Sequence, residues 1–147
     1  MQVARVFSPE TINRVVNHED ILPYIAPGYT EYDLSDFLRD RRNIALQCEQ
    51  AFAIFQWLAD GVYEGHYLFL PPTRGKKSAA AARKILDEMF TKHGAQIIHG
   101  QTPRGFRAAR ALTRALGFET VGASRDNVGR ECVHSALTAN KWAQFSD

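Results

Sequence analysis

The 147-residue sequence lacks the features that mark several large classes of protein. Its two cysteines, Cys48 and Cys132, are too few and too far apart for a disulfide framework or a cysteine-rich metal cluster. The formal net charge of +2 is too small to indicate nucleic-acid binding by itself. No apolar run approaches the roughly 18 residues of a membrane span, and the N-terminal segment has no apolar core of a signal peptide. We therefore expect a reduced, cytoplasmic protein without membrane contact.

The remaining composition is ordinary for a globular domain. Hydrophobic residues make up 45% of the chain and charged residues 23%. A chain of 147 residues can bury a sizeable core. The sequence contains no internal repeat, linker or low-complexity segment. We predict one domain that spans residues 1–147.

The most informative segment is residues 62–90, which predicts a strand, a short basic turn and an amphipathic helix. Residues 62–70 are rich in aromatic and large apolar side chains that suit a strand, and Pro71-Pro72 would end it. Residues 74–78 form a polar turn, and Gly94 marks the end of the helix. The apolar helix face at helical spacing consists of Ala82, Ile85, Leu86, Met89 and Phe90.

A strand that leads through a basic turn into a helix predicts an anion site. The first turn of a helix has unpaired backbone N–H groups and the positive end of the helix dipole. Arg74, Lys76 and Lys77 add positive charge at the same place, so phosphate is the expected ligand class. The turn matches neither the G-x-x-x-x-G-K-S/T nor the G-x-G-x-x-G phosphate-binding pattern.

This turn resembles the acetyl-CoA pyrophosphate loop of the GNAT N-acetyltransferases, Q/R-x-x-G-x-G/A. Residues 74–79, R-G-K-K-S-A, follow a predicted strand and open a predicted helix. Arg74 and Ala79 match the first and last positions, and Lys77 replaces the central glycine. Within the superfamily, Y-E-G-H-Y-L-F-L-P followed by R-G is most similar to the GNAT-like proteins of tailed phages and prophages.

A second segment resembles the same family. Residues 109–118, A-R-A-L-T-R-A-L-G-F, are similar to the family's A-x-x-L-Y-x-x-L-G-F helix end. Thr113 replaces the tyrosine of that pattern, and Phe106 stands where an asparagine is common.

The resemblance implies acetyl-CoA as co-substrate and transfer of its acetyl group to an amine of an unknown acceptor. It implies that the backbone of the strand before the turn holds the pantetheine arm, at Leu68, Phe69 and Leu70. It also implies that the pyrophosphate lies at Arg74, Gly75, Lys76, Lys77, Ser78 and Ala79.

Acyl transfer to an amine needs a base for the amine proton, and Glu64 and His66 are the candidates. They lie two apart on the predicted strand and therefore share one face. Glu64 is close to where some GNAT enzymes carry a glutamate that acts through water, and His66 titrates near neutrality. Both could instead make structural hydrogen bonds, and a bulge at Gly65 would change which of them faces the site.

The acid for the leaving thiolate is left open by the sequence. The tyrosine of the family pattern is Thr113 here, whose hydroxyl is too weakly acidic to protonate a thiolate but can hydrogen-bond the sulfur. Tyr63, Tyr67 or solvent could take its place. His99 ends a short predicted strand near the same point, where a structural role is the simpler interpretation.

The order of predicted elements is β-α-α-β-β-β-α-β-α-β-β. It predicts an α/β (α+β) protein with a GNAT-like mixed, mainly antiparallel sheet of six to seven strands and helices on both faces. Ser8 and Thr102 are the predicted N-caps of two helices that begin at Pro9 and Pro103. The predicted strands are residues 3–7, 43–48, 51–58, 62–70, 96–99, 120–123 and 131–137.

Two alternatives to an acetyltransferase stay open. One is a non-catalytic GNAT-fold phage protein with a structural or host-interaction role, which the departures at Lys77, Phe106 and Thr113 favour. The other is a nucleic-acid-binding module. Local positive charge is the one feature that favours it, including the predicted helical stripe of Arg104, Arg107, Arg110 and Arg114. The acidic, tyrosine-containing segment 18–42 would suit an amine acceptor, and a homodimer is compatible with the sequence.

Overall fold

The computed structural model describes residues 2–71 and 74–145, which form seven strands and six helices. Pro72, half of the predicted strand stop, lies outside the described residues. In chain order the elements are β1 (Val3–Arg5), α1 (Pro9–Val16), α2 (Leu22–Ile25), α3 (Ser35–Arg39), β2 (Ile44–Cys48), β3 (Ala51–Ala59), β4 (Val62–Phe69), α4 (Lys76–Lys92), β5 (Ile97–Pro103), α5 (Arg107–Ala115), β6 (Glu119–Arg125), β7 (Glu131–Thr138) and α6 (Ala139–Phe145).

The strands form a single seven-stranded sheet in the order β1-β2-β3-β4-β5-β7-β6. Every neighbouring pair is antiparallel except β4 and β5, which run parallel and are connected through α4. A parallel pair needs such a crossover because the chain leaves the first strand at one end of the sheet and must return to the other end to begin the second strand. The mixed, mainly antiparallel sheet predicted from the order of elements is confirmed.

Helices cover both faces of the sheet, as predicted. One core packs α4, the end of α5 and α6 against the sheet and includes Ile85, Leu86 and Trp142. The other core packs the segment from α1 to α3 against the opposite face and includes Ile12 and Val16. Strand β3 contributes to both because its buried residues alternate between the two faces.

Strand β4 pairs with β3 without interruption through Gly65, so the bulge considered for that residue does not occur in this pairing. Phe55 lies opposite Gly65, and the neighbouring pairs keep the same register; the irregularity in this ladder falls between Trp57 and Ala59. Packing explains why position 65 is a glycine. A Cβ atom at Gly65 would lie 2.8 Å from Cε1 of Phe55, so the phenylalanine ring occupies the space that a side chain would need.

Strands β4 and β5 separate soon after they meet. They pair at three positions, Val62 with Ile97, Tyr63 with Ile98 and Glu64 with His99. Both strands continue beyond these pairs, β4 to Phe69 and β5 to Pro103, without pairing with each other. The divergence opens a gap in the middle of the sheet.

One local prediction in the C-terminal half is wrong, and one helix there was missed. Thr102 and Pro103 do not begin a helix but end β5, where they pair with Val133 and Cys132 of β7. Helix α5 begins after Phe106, which is its N-cap and makes no side-chain capping bond. Helix α6 was not predicted at all.

Within residues 2–71 and 74–145, no helix combines the length and the apolar composition needed to cross a lipid bilayer.

Candidate active site

A cleft of about 300 Å³ lies where β4 and β5 diverge. Its walls come from four places: the segment at α2, the separated parts of β4 and β5, the start of α4, and α5. It is lined by Asp20, Ile21, Tyr24, Ile25, Phe55, Gly65, His66, Tyr67, Phe69, Arg74, Gly75, Ser78, Ile98, Gly100, Gln101, Thr102, Pro103, Ala108, Ala109, Leu112, Thr113 and Phe118. A mainly apolar cleft with a few polar groups is the usual form of a small-molecule site.

The basic turn reaches this cleft, although it is shorter than predicted. Helix α4 begins at Lys76, so Lys76, Lys77, Ser78 and Ala79 form its first turn and do not lie in a loop. Gly75 is the N-cap with φ of 80°, a conformation that a residue with a side chain rarely adopts.

No side chain of the described residues caps α4. The hydroxyl of Ser78 donates to the carbonyl oxygen of Gly75 at 2.6 Å and therefore does not cap the helix. The N–H of Ser78 donates to the carbonyl oxygen of Gly75 at 3.1 Å. The N–H groups of Lys76 and Lys77 have no partner among the described residues and are available to a ligand at the open end of the cleft.

Arg74 lies at the mouth of the cleft. Its guanidinium donates long hydrogen bonds of 3.4 Å to the carbonyl oxygens of Phe69 and Asp20. These contacts join the end of β4 to the α2 segment across the opening. The side chains of Lys76 and Lys77 are exposed and do not line the cleft.

The three residues predicted to hold the pantetheine arm lie at the end of β4, and their side chains have different surroundings. Leu68 is fully buried in the core beneath α1 to α3, and Leu70 packs partly against the same core. Phe69 points to the other face and lines the cleft. None of the three pairs with β5, so the backbone edge of this segment faces the gap.

Glu64 and His66 share one face of β4, as predicted, but only His66 lines the cleft. Burial lowers the pKa of His66, and the charge of Glu64 opposes that shift. The ring of His66 is therefore neutral at neutral pH, because burial disfavours its protonated form. Glu64 lies at the last β4–β5 pair, opposite His99, at the inner end of the cleft.

Thr113 lines the cleft from α5, but its hydroxyl donates to the carbonyl oxygen of Ala109 at 2.9 Å. Its proton is therefore already used within the helix. Tyr67 differs. It lines the cleft, and its hydroxyl is buried without a hydrogen-bond partner among the described residues. Burial raises the pKa of Tyr67, so the phenol stays protonated. Tyr63 is buried and does not line the cleft.

The α2 segment closes one side of the cleft, where Tyr24 packs against Phe106 with ring centroids 4.1 Å apart. Nearby, the side chain of Asn127, in the β6–β7 loop, donates to the carbonyl oxygen of Pro27 at 2.8 Å. Two of the three tyrosines in the predicted acceptor segment, Tyr29 and Tyr32, pack against each other and do not line the cleft.

Sequence reasoning missed the wall that comes from the far end of β5, although it named Thr113 on α5. Gly100, Gln101 and Thr102 face the gap only because β5 runs on past its last pair with β4. The isolated glycine in an apolar strand was the one available signal, since such a glycine often marks a close approach. The described residues hold no cluster of histidine, cysteine, aspartate or glutamate side chains that could bind a metal ion.

No protein-family model and no curated protein sequence matches the chain. Solved structures do. A mutant of spermidine N-acetyltransferase SpeG from Vibrio cholerae aligns with a TM-score of 0.77 at 14% identity, covering 100% of both chains. Aminoglycoside acetyltransferase AAC(6')-Ib in complex with coenzyme A and kanamycin aligns with a TM-score of 0.75 at 14% identity, covering 99% of both.

A GNAT-family acetyltransferase from Bacillus anthracis aligns with a TM-score of 0.70 at 14% identity, covering 95% of this chain and 96% of the other. At these identities the alignments show the fold alone. The chain has the fold of the GNAT acetyltransferases, and that prediction is confirmed.

Proposed function

We propose that this protein is an N-acetyltransferase that transfers an acetyl group from acetyl-CoA to an amine. The observation that carries the proposal is the junction of two features: a cleft between diverging strands, and an uncapped helix start with Arg74 at its mouth. An extended thioester with a charged phosphate end fits this shape, since the cleft takes the arm and the helix start takes the phosphates.

The chain holds the donor mainly through backbone groups. Residues 65–69 of β4 have an edge without a strand partner on the cleft side, so their N–H and C=O groups can bind the amides of a pantetheine arm. The first turn of α4 and the Arg74 guanidinium bind the pyrophosphate. Lys76 and Lys77 are exposed beside that turn and raise the local positive potential. Lys77 does not fill the cleft, although it replaces the glycine of the family pattern.

Proton transfer from the amine falls to the pair on β4. The amine nitrogen forms a bond to the thioester carbonyl carbon, and the carbon–sulfur bond breaks. The amine gives up its proton to Glu64, through water or through the neutral ring of His66. Hydrogen-bond reach from the cleft favours His66, because His66 lines the cleft and Glu64 does not.

In this proposal the leaving sulfur accepts a hydrogen bond from the Tyr67 hydroxyl. The thiolate then takes its proton from solvent, because burial raises the pKa of Tyr67 and keeps the phenol protonated. Three groups were open on sequence grounds, and two observations favour Tyr67: its hydroxyl has no other partner, and it lines the cleft. Thr113 has already committed its proton to Ala109. Thr113 can still accept a hydrogen bond through its oxygen, which gives it a positioning role.

The test of donor binding is thermal unfolding with and without acetyl-CoA. A ligand that binds only the native chain raises the melting temperature as its concentration passes Kd. Arg74→Glu should abolish the rise. Arg83→Glu, on the exposed side of the same helix, is the matched control and should keep it. If folded protein shows no rise at millimolar acetyl-CoA, the proposal is wrong.

The test of catalysis separates the enzyme from the non-catalytic module. Glu64→Gln keeps the shape of the side chain and removes its basicity, so turnover should fall about 10²–10⁴-fold while acetyl-CoA affinity barely changes. Thr113→Ala should cost less than about tenfold, because it removes no proton donor to the thiolate. If acetyl-CoA binds and a panel of polyamines, aminoglycosides and peptides is never acetylated, the non-catalytic role becomes the better explanation.

Four further sequence predictions stay predictions: one domain over residues 1–147, a relation to phage and prophage proteins, a cytoplasmic location and a homodimer. Size-exclusion chromatography with light scattering would test the homodimer directly.

A further inference from the structure

A second, smaller recess lies between α5 and the sheet. It has a volume of about 60 Å³ and is lined by Thr102, Arg110, Thr113, Arg114, Phe118, Thr120, Val133 and Ser135. These residues come from α5, from β5, β6 and β7, and from the turn before β6. The volume is several times the roughly 10–15 Å³ that one water molecule requires.

The charged residues that line the recess are all basic. Two arginines and four residues with a hydroxyl group line the recess, and no acidic residue does. The guanidinium of Arg110 also donates to the carbonyl oxygen of Arg104 at 3.1 Å. Arg110 and Arg114 form no ion pair within the part of the chain that the structure describes. The three carboxylates that follow in sequence are engaged elsewhere: Glu119 accepts from Lys141, Asp126 from Arg130 and Glu131 from Arg104. The recess therefore keeps its positive charge.

A buried hydroxyl independently points to a ligand. Ser135 is only 4% exposed, and its Oγ has no hydrogen-bond partner among the described residues. An unpaired buried hydroxyl is costly, so such groups usually face a bound water, ion or ligand. Ser135 pairs with Gly100 across the β5–β7 ladder. Because glycine has no side chain, the Ser135 hydroxyl has no side-chain neighbour at the paired position of β5.

We infer that this recess is a binding site for a small oxyanion such as phosphate, separate from the cleft. Arg110 and Arg114 lie one helical turn apart and can both donate to the oxyanion. Thr102, Thr120 and Ser135 add neutral donors. The inference rests on the recess alone and not on the proposed acetyltransferase activity. The recess shares Thr102, Thr113 and Phe118 with the cleft wall, so its occupant would contact the same α5 residues as a cleft ligand.

The probe is inorganic phosphate, titrated by calorimetry at constant ionic strength with chloride as the blank. We expect saturable binding that weakens roughly tenfold to hundredfold in Arg114→Gln, because a charged hydrogen-bond donor is lost. Arg107→Gln is the matched control, since Arg107 lies on the same helix and does not line the recess. Ser135→Ala should weaken binding with the charge unchanged.

Two further arms separate this site from the cleft. Arg74→Glu, which should remove acetyl-CoA binding, should leave this phosphate site intact, and saturating acetyl-CoA should not displace the phosphate. The inference is overturned if phosphate never saturates, if Arg107→Gln weakens binding as much as Arg114→Gln, or if acetyl-CoA displaces the phosphate. The first two of these results leave acetyl-CoA binding in the cleft untouched, so failure of this inference and failure of the proposed function are distinguishable.

Discussion

Replacing Gly65 with alanine tests the packing that shapes the inner end of the cleft. The new Cβ would lie 2.8 Å from Cε1 and 3.0 Å from Cδ1 of Phe55, and 3.3 Å from Cγ2 of Ile98. Phe55 and Ile98 are each only 1% exposed, so neither side chain can move aside into solvent. An added methyl group in such a place typically costs about 1–3 kcal/mol.

The control is Gly122→Ala. Gly122 lies in the exposed edge strand β6, and nothing lies within 4 Å of the position that its Cβ would take. Both variants lose the same conformational freedom in the unfolded chain, a gain of about 0.4–1 kcal/mol for the folded state. The difference between the two free energies of unfolding therefore isolates the contact with Phe55 and Ile98.

Urea denaturation and thermal scans provide the measurement. At about 2–4 °C per kcal/mol for a chain of this size, Gly65→Ala should melt roughly 2–12 °C below Gly122→Ala. Adding Phe55→Leu should recover part of the loss, with a coupling energy above about 0.5 kcal/mol in the double-mutant cycle. Equal stability of the two alanine variants would refute the close-packing explanation for Gly65.

The remaining predictions concern single side chains. Tyr67→Phe should leave the free energy of unfolding unchanged or raise it by about 1–3 kcal/mol, since an unpaired buried hydroxyl is removed, while turnover falls about 10²-fold or more; a variant that loses stability and keeps its activity would contradict both roles. His66 has a folded-state pKa below its ordinary value of 6.5 because of burial, so the unfolded chain takes up its proton first and the free energy of unfolding falls as pH drops below about 6.5. His66→Gln should flatten that part of the curve in urea titrations at a series of pH values, while the similar contribution of His93, whose pKa is also lowered by burial, stays. Ser8→Ala should cost about 1 kcal/mol, measured by denaturation, because the Ser8 hydroxyl accepts from the Thr11 N–H at 3.3 Å; an unchanged midpoint would show that the cap contributes nothing.

Local sequence signals predicted an element correctly where the interactions that form it lie within the same short segment. Ser8 followed by Pro9 begins α1 because the cap and the fixed φ of proline act within one turn. The same signal at Thr102 and Pro103 failed, because pairing with β7 outweighs it. That pairing joins residues about thirty positions apart, which no local pattern encodes.

The site was predictable to a similar extent. The basic turn and the strand before it follow from composition and charge, and both reach the cleft through Arg74 and Phe69. The special position of Tyr67 could not be predicted, since a hydroxyl lacks a partner only by virtue of everything packed around it. The same holds for Thr113, whose proton is taken by a carbonyl of its own helix.

The short β4–β5 junction divides the sheet into two blocks of strands. Strands β1 to β4 form one antiparallel block and β5 to β7 the other, and three residue pairs join them. Strand β4 forms eight pairs with β3, and β5 forms seven with β7. We therefore expect bending of the sheet to occur at the β4–β5 junction, near Glu64 and His99, and to widen or narrow the gap. A ligand that lies along the gap would contact both blocks and restrict their relative motion. Its binding should therefore slow amide hydrogen exchange on both sides of the β4–β5 junction, even at residues that it does not contact.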